Sequence, residues 1–167
     1  MKASGPVQLE LEHLAARVGV ALERRGWLLV TAESCTGGWV GQIVTSIPGS
    51  SRWYERGYVT YSNAAKQELL DVTPAILAAY GAVSEQTALA MAEGALRHSH
   101  AHIAVAITGV AGPDGGTSEK PVGTVWLAWV VRGESSSARC FNFPGDRAQV
   151  RAAAVRAALD GIMARAT

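Results

Sequence analysis

A three-layer α/β/α sandwich around a mixed sheet of about five strands is the architecture this sequence predicts. Two observations carry it. Short apolar runs of strand length alternate with longer segments whose apolar residues recur at helical spacing, over 167 residues. The runs TVWLAWVV (124–131) and SARCFNF (137–143) are joined by the short polar RGESS, which suits a hairpin and so requires an antiparallel member.

Taken in order, Leu11, Leu14, Ala15, Val18 and Leu22 share one helical face, and Gly26 stands where a left-handed cap is wanted. WLLVTA (27–32) is continuously apolar, as a strand covered on both faces would be. TAESCTGG (31–38) is then a strand-to-helix turn, because WVGQIVTSI (39–47) resumes helical spacing up to Pro48. Gly57 to Ser62 (GYVTYS) is rich in aromatic and β-branched residues and reads as the second strand, with Asn63 opening the short helix AAKQELLDV. Thr73-Pro74 is a cap followed by proline at the first helical position, and Gly81 ends that segment. Ser84 caps EQTALAMAEGALRHS, and IAVAIT (103–108) is the third strand. After the hairpin, Asp146 with Gln149 three residues on forms a capping box for an alanine-rich last helix. The expected order is α-β-α-β-α-α-β-β-β-α. No internal repeat or linker is visible, so one domain over residues 1–167 is expected.

With 15 basic and 14 acidic residues the formal charge is +1, which leaves no electrostatic footprint for nucleic acid. A small charged substrate stays compatible with that balance. Cys35 and Cys140 lack CxxC spacing, so neither a disulfide framework nor a zinc site is expected, and a reducing cytoplasmic setting fits. The N-terminal MKASGPVQLELEHL has no apolar signal core, and no stretch approaches the roughly 20 apolar residues of a membrane span. Five tryptophans are compatible with an apolar patch and a homo-oligomer, or equally with a core role.

Ser34 sits where a strand gives way to a helix, so its hydroxyl can lie beside free first-turn N–H groups, as in a nucleophile elbow. The G-x-S-x-G motif itself is absent, and taken alone the residues favour an N-cap role for Ser34 or Thr36. A serine nucleophile needs a base. His13 falls in a helical pattern, and His98, His100 and His102 span a helix end, where imidazoles suit the partial negative charge better than a metal. Lys66 is the other candidate, since burial turns a lysine into a proton acceptor, although a solvated helix lysine explains it too. Tyr61 nearby can relay a proton or simply pack. GVAGPDGG (109–116) places Gly109, Gly112, Gly115 and Gly116 after a strand end, where backbone can approach a ligand, but it matches neither dinucleotide nor P-loop fingerprints. Arg147 in GDR can meet a phosphate or stay solvated.

The blocks TAESCTGGWVG, GSSRWYERGYVTYSNAAK, GAVSEQTALAMAEGAL, ITGVAGPDGGTSEKPVGTVW and FPGDR occur in this order over nearly the whole chain, roughly residues 8 to 165. Together they resemble the C-terminal domain of the CinA (competence/damage-inducible) family. The resemblance implies an α/β/α sandwich with a mixed sheet and an amidohydrolase that converts nicotinamide mononucleotide to nicotinate mononucleotide and ammonia. It further implies Ser34 as nucleophile and Lys66 as base, with Tyr61 beside them. On this basis the backbone of Cys35, Thr36, Gly37 and Gly38 is expected to supply the oxyanion site. The segment Thr108, Gly109, Gly112, Gly115 and Gly116, the helix start near Thr36, and Arg147 are expected to hold the rest of the substrate. No cofactor and no metal are expected; the metal-dependent pyrophosphatase domain of longer relatives would precede the residues present. The alternative from another class is a pyridine-nucleotide-binding or regulatory module without catalysis.

Overall fold

A computed structural model of the chain describes residues 5–167. Its elements are α1 (Pro6–Arg25), β1 (Leu29–Glu33), α2 (Trp39–Thr45), a 3-10 turn (Ser50–Arg52), β2 (Tyr54–Val59), α3 (Asn63–Leu70), α4 (Pro74–Tyr80), α5 (Glu85–Arg97), β3 (Ile103–Gly109), β4 (Thr124–Val131), β5 (Ser137–Asn142) and α6 (Arg147–Ala166). The strands form one mixed sheet in the order β2-β1-β3-β4-β5. β1 is parallel to both β2 and β3, while β3, β4 and β5 run antiparallel in turn. The expected mixed sandwich and its hairpin are both present.

The caps follow the local chemistry. Gly26 takes a left-handed φ of 66° and closes α1. Thr73 and Ser84 accept from Ile76 and Thr87 N–H groups, and Asp146 with Gln149 completes the reciprocal capping box of α6.

Three departures from the sequence-based expectation have physical causes. The second strand is Tyr54–Val59 rather than 57–62, because Ser62 is already the N-cap of α3, its hydroxyl accepting from Ala65 N–H. Glu55 and Arg56, which mask the strand pattern, are tolerated because β2 is an edge strand and the two pair with each other at 2.6 Å. The first strand begins at Leu29 and extends through the acidic Glu33, which is fully buried. Finally, three helices rather than two separate β2 from β3, since the Thr73-capped segment closes its own turns as α4.

Alternation along the strands divides the core. Leu29, Ile103, Val105, Ile107, Leu127 and Trp129 face α1, α2 and α6, whereas Val30, Ala32, Ala104, Ala106, Ala128 and Val130 face α3, α4 and α5. The alanines on the second face let α5 come close to the sheet, and Gly94 in turn brings α5 against α3. A Cβ at Gly94 would lie 1.9 Å from the Leu70 carbonyl oxygen. Gly94→Ala should therefore cost about 1–3 kcal/mol as overpacking, even though alanine gains up to ~1 kcal/mol over glycine in an unobstructed helix. Chemical denaturation checks this, and an unchanged or raised midpoint would mean that α5 and α3 are not in this contact.

β1, β2 and β3 are parallel, so their carboxyl ends share one edge of the sheet, and α2 and α3 start there. Crevices at carboxyl ends are where open α/β sheets place ligands. On the described residues no helix is long and apolar enough to cross a membrane.

Candidate active site

β1 ends at Glu33, and Ser34 is held at the sheet edge by its N–H, which donates to the Ile107 carbonyl of β3 at 2.9 Å. Lys66 lies one turn into α3, after β2 has brought the chain back alongside β1. Its Nζ is 3.1 Å from Ser34 Oγ and donates to the Thr60 carbonyl at 2.8 Å. Lys66 is 1% exposed and Ser34 8% exposed.

No carboxylate forms an ion pair with Lys66 among the described residues. Burial therefore acts unopposed by a salt bridge and lowers the lysine's pKa from its ordinary value. A thiolate at Cys35 would counter that shift, but burial pushes the Cys35 thiol up to about 11 and keeps it protonated. The pair is thus a buried hydroxyl against an amine biased toward its neutral, proton-accepting form.

The neighbouring carboxylate is otherwise engaged. Glu33 accepts from Thr36 Oγ1 at 2.7 Å and from the N–H groups of Gly38, Val40 and Gly41 at 3.0–3.1 Å. These are the first-turn donors of α2, so a side chain of the same chain fills the place a ligand phosphate would need. The expectation of a phosphate at this helix start does not fit the geometry. Gly37 N–H is likewise committed, to the Ser34 carbonyl. Of the four residues expected to supply oxyanion donors, only Cys35 and Thr36 have an N–H with no acceptor among the described residues.

Ser34 and Lys66 open into a cavity of about 190 Å³ that Cys35, Tyr61, Thr108 and Arg147 also line. Gly109 lines it as well, whereas Thr36, Gly37, Gly38, Gly112, Gly115 and Gly116 do not. Gly112 contributes through its carbonyl, which accepts from Arg147 Nη1 at 2.8 Å, while Arg147 Nη2 donates to Tyr61 OH at 3.1 Å. Gly116 instead packs against the Val122 backbone. Thr108 Oγ1 donates to the Ala82 carbonyl at 2.7 Å and so fixes the facing wall. A larger cavity of about 490 Å³ opens by Trp129 and Arg165; Ser137 and Asp160 line it, but the Ser137 hydroxyl accepts from Arg165 Nη2 and meets no base.

Three participants were not singled out from sequence. Glu33 stood within the TAESCTGG stretch, and a charge on a strand buried on both faces was the available signal. Asn63, taken only as a helix start, lines the cavity. Arg151 touches the turn after β1 from α6, with nothing in its sequence context to distinguish it. The histidines do not assemble: His98 caps α5 and meets Asp71, and His102 Nδ1 accepts from Leu28 N–H. Among the described residues no group of three or more His, Cys, Asp or Glu side chains is placed to hold a metal ion.

Residues 11–166 match the family model described as the CinA C-terminal domain. A relative from Escherichia coli strain K12 named nicotinamide-nucleotide amidohydrolase PncC is 54% identical over 152 residues, spanning 90% of this chain and 91% of the relative. A relative of the same name from Pseudomonas putida is 51% identical over 154 residues, spanning 90% and 93%. The crystal structure of the competence/damage inducible protein CihA from Agrobacterium tumefaciens superposes with a TM-score of 0.92 at 44% identity, covering 98% of each chain. A match of this length, joined to a superposition of the whole sandwich, places the chain in the CinA C-terminal domain family.

Proposed function

We propose that this chain hydrolyses the carboxamide of nicotinamide mononucleotide, releasing ammonia and nicotinate mononucleotide, with Ser34 as nucleophile and Lys66 as base. The observation that carries the reading is the 3.1 Å approach of a buried, unpaired Lys66 amine to Ser34 Oγ. A binding module without turnover has no use for a lysine held in this way at the cost of its hydration. The names of the E. coli and P. putida relatives support the substrate.

In this reading Ser34 Oγ attacks the carboxamide carbon while Lys66 Nζ accepts the hydroxyl proton. The oxyanion meets the free Cys35 and Thr36 N–H groups. As the C–N bond breaks, Lys66 returns the proton to the departing amine, leaving ammonia and a serine ester. Water then attacks the ester with Lys66 again as base, and the proton goes back to Ser34 Oγ. The pyridinium charge withdraws electrons from the carbonyl and eases the first step, and no cofactor takes part.

The pyridine ring belongs beside Ser34, and the phosphate belongs at Arg147, which with Lys66 is the cationic side chain lining the cavity. Arg147 already bridges Tyr61 OH and the Gly112 carbonyl, so it orders the mouth before substrate arrives. Arg147→Ala should raise KM by roughly 10-fold to 100-fold, the scale of a lost charge-assisted contact of ~1.5–3 kcal/mol. Its effect on nicotinamide riboside, which lacks the phosphate, should be small. Equal losses on both substrates would remove the phosphate role from Arg147.

Cys35→Ala should keep turnover within about threefold of the parent, because the protonated thiol has no part in attack. Loss of activity in that variant would move the nucleophile from Ser34 to Cys35. Ammonia release from nicotinamide mononucleotide, nicotinamide riboside and free nicotinamide tests the proposal as a whole. Turnover is expected with the mononucleotide, and its absence over long incubation would leave a binding module. A cytoplasmic, metal-independent enzyme is the setting that accords with this chemistry.

A further inference from the structure

Arg151, on α6, reaches the nucleophile turn from the side opposite to α3. Its Nε donates to the Cys35 carbonyl and its Nη2 to the Thr36 carbonyl, each at 3.1 Å. The guanidinium also lies 5.4 Å from the centroid of the Trp39 ring. Among the described residues it forms no ion pair, so its charge is directed at two consecutive peptide groups.

The consequence follows from peptide planarity. In a trans peptide the C=O and the next residue's N–H point in opposite directions, and the peptide joining Cys35 and Thr36 is trans. Fixing the Cys35 carbonyl on Arg151 therefore turns the Thr36 N–H away from α6. Thr36 is fully buried one residue beyond the cavity-lining Cys35 and is not itself on the cavity wall, yet its N–H has no acceptor among the described residues, a state that buried backbone donors rarely keep. Glu33 does the complementary job downstream, gathering the N–H groups of Gly38, Val40 and Gly41. A carboxylate on the amides and a guanidinium on the carbonyls leave the turn between them one orientation.

We propose that Arg151 is a positioning residue that aims the Thr36 N–H at the oxyanion, and so acts on the transition state through a peptide group it does not share with the substrate. The inference rests on the amidohydrolase reading above. Hydrogen bonding at the Cys35 carbonyl also polarises the same peptide and makes its N–H a stronger donor. The fork of the guanidinium is what holds two carbonyls at once, which an ammonium cannot reproduce.

Arg151→Met keeps an unbranched stem over Trp39 and removes the fork, and Arg151→Lys keeps the charge without it. Losing one oxyanion donor lowers kcat by about 100-fold to 1,000-fold. The Met variant should lose roughly 100-fold in kcat on nicotinamide mononucleotide, with KM and the Kd for nicotinate mononucleotide, by calorimetry, within about threefold of the parent. The Lys variant should recover less than a tenth of the parental kcat. Labelling of Ser34 by a fluorophosphonate, in which Oγ attacks phosphorus and fluoride leaves, should slow in the same order, since the P–O⁻ of that transition state needs the same donor. A kcat and labelling rate within threefold of the parent would overturn the proposal, as would matching losses of kcat, product affinity and melting temperature, which mark general unfolding. If the parent chain releases no ammonia from the mononucleotide, the substrate reading fails, and the labelling rates alone decide the role of Arg151.

Discussion

Ser34→Ala is expected to fold as the parent does and to lose turnover by up to ~10⁶-fold, the scale seen when the nucleophile of a serine hydrolase is removed. The fold is spared because the contact that anchors Ser34 in the sheet is made by its main chain, whose N–H donates to the Ile107 carbonyl. Among the described residues the hydroxyl meets only Lys66 Nζ. Removing it leaves the amine with the Thr60 carbonyl as its remaining partner, a loss of one hydrogen bond, about 0.5–1.5 kcal/mol. Activity and stability are thereby separated, and ammonia release alongside thermal denaturation reads both. A variant that turns over within tenfold of the parent would mean that another group, or water directly, attacks the carboxamide.

Lys66→Met should lower kcat by about 10⁴-fold, at the upper end of what general acid–base catalysis contributes, because one amine serves both halves of the reaction. The pH dependence identifies the cause. Burial lowers the Lys66 pKa, so the fraction of neutral, proton-accepting lysine grows as pH rises through that depressed value, and kcat should climb and then level off. The residual rate of Lys66→Met should lack this limb.

Folding stability carries the same signature. An unfolded lysine titrates near ~10.4, and the folded one below it, so between the two values the unfolded chain binds more protons and stability rises with pH. Burying the ammonium costs the most below the folded pKa and nothing above the unfolded one. The wild-type chain should therefore gain stability relative to Lys66→Met as pH is raised across this window. A gap that stays constant with pH would mean that Lys66 titrates like a solvated lysine.

Most of the sandwich was legible because its signals are local. Helix caps at Thr73, Ser84 and Asp146 depend on residues within three positions of one another, and the β4 to β5 hairpin on one short connection. The second strand was misplaced where local signals compete: Tyr61 and Ser62 have strand-like neighbours, but the Ser62 cap already commits the chain to α3. Ser34 and Lys66 became a pair through the order of the sequence blocks, whereas their distance comes from the parallel alignment of β1 with β2. Glu33 and Arg151 were opaque for a related reason. Apart from the Thr36 hydroxyl on Glu33, their hydrogen-bond partners are main-chain atoms, which look alike at every position, and Arg151 reaches a turn 115–116 residues earlier in the chain. Only the fold shows that the α2 amides are taken and that, among the described residues, the Cys35 and Thr36 amides have no acceptor.

A covalent step at Ser34 is visible to intact and peptide mass spectrometry on acid-quenched single turnovers with nicotinamide mononucleotide. A nicotinate-mononucleotidyl ester on Ser34 is expected to form and decay within the time course and never to appear in Ser34→Ala. An adduct on Cys35, or product formed with no adduct on Ser34 at any sampled time, would contradict that step.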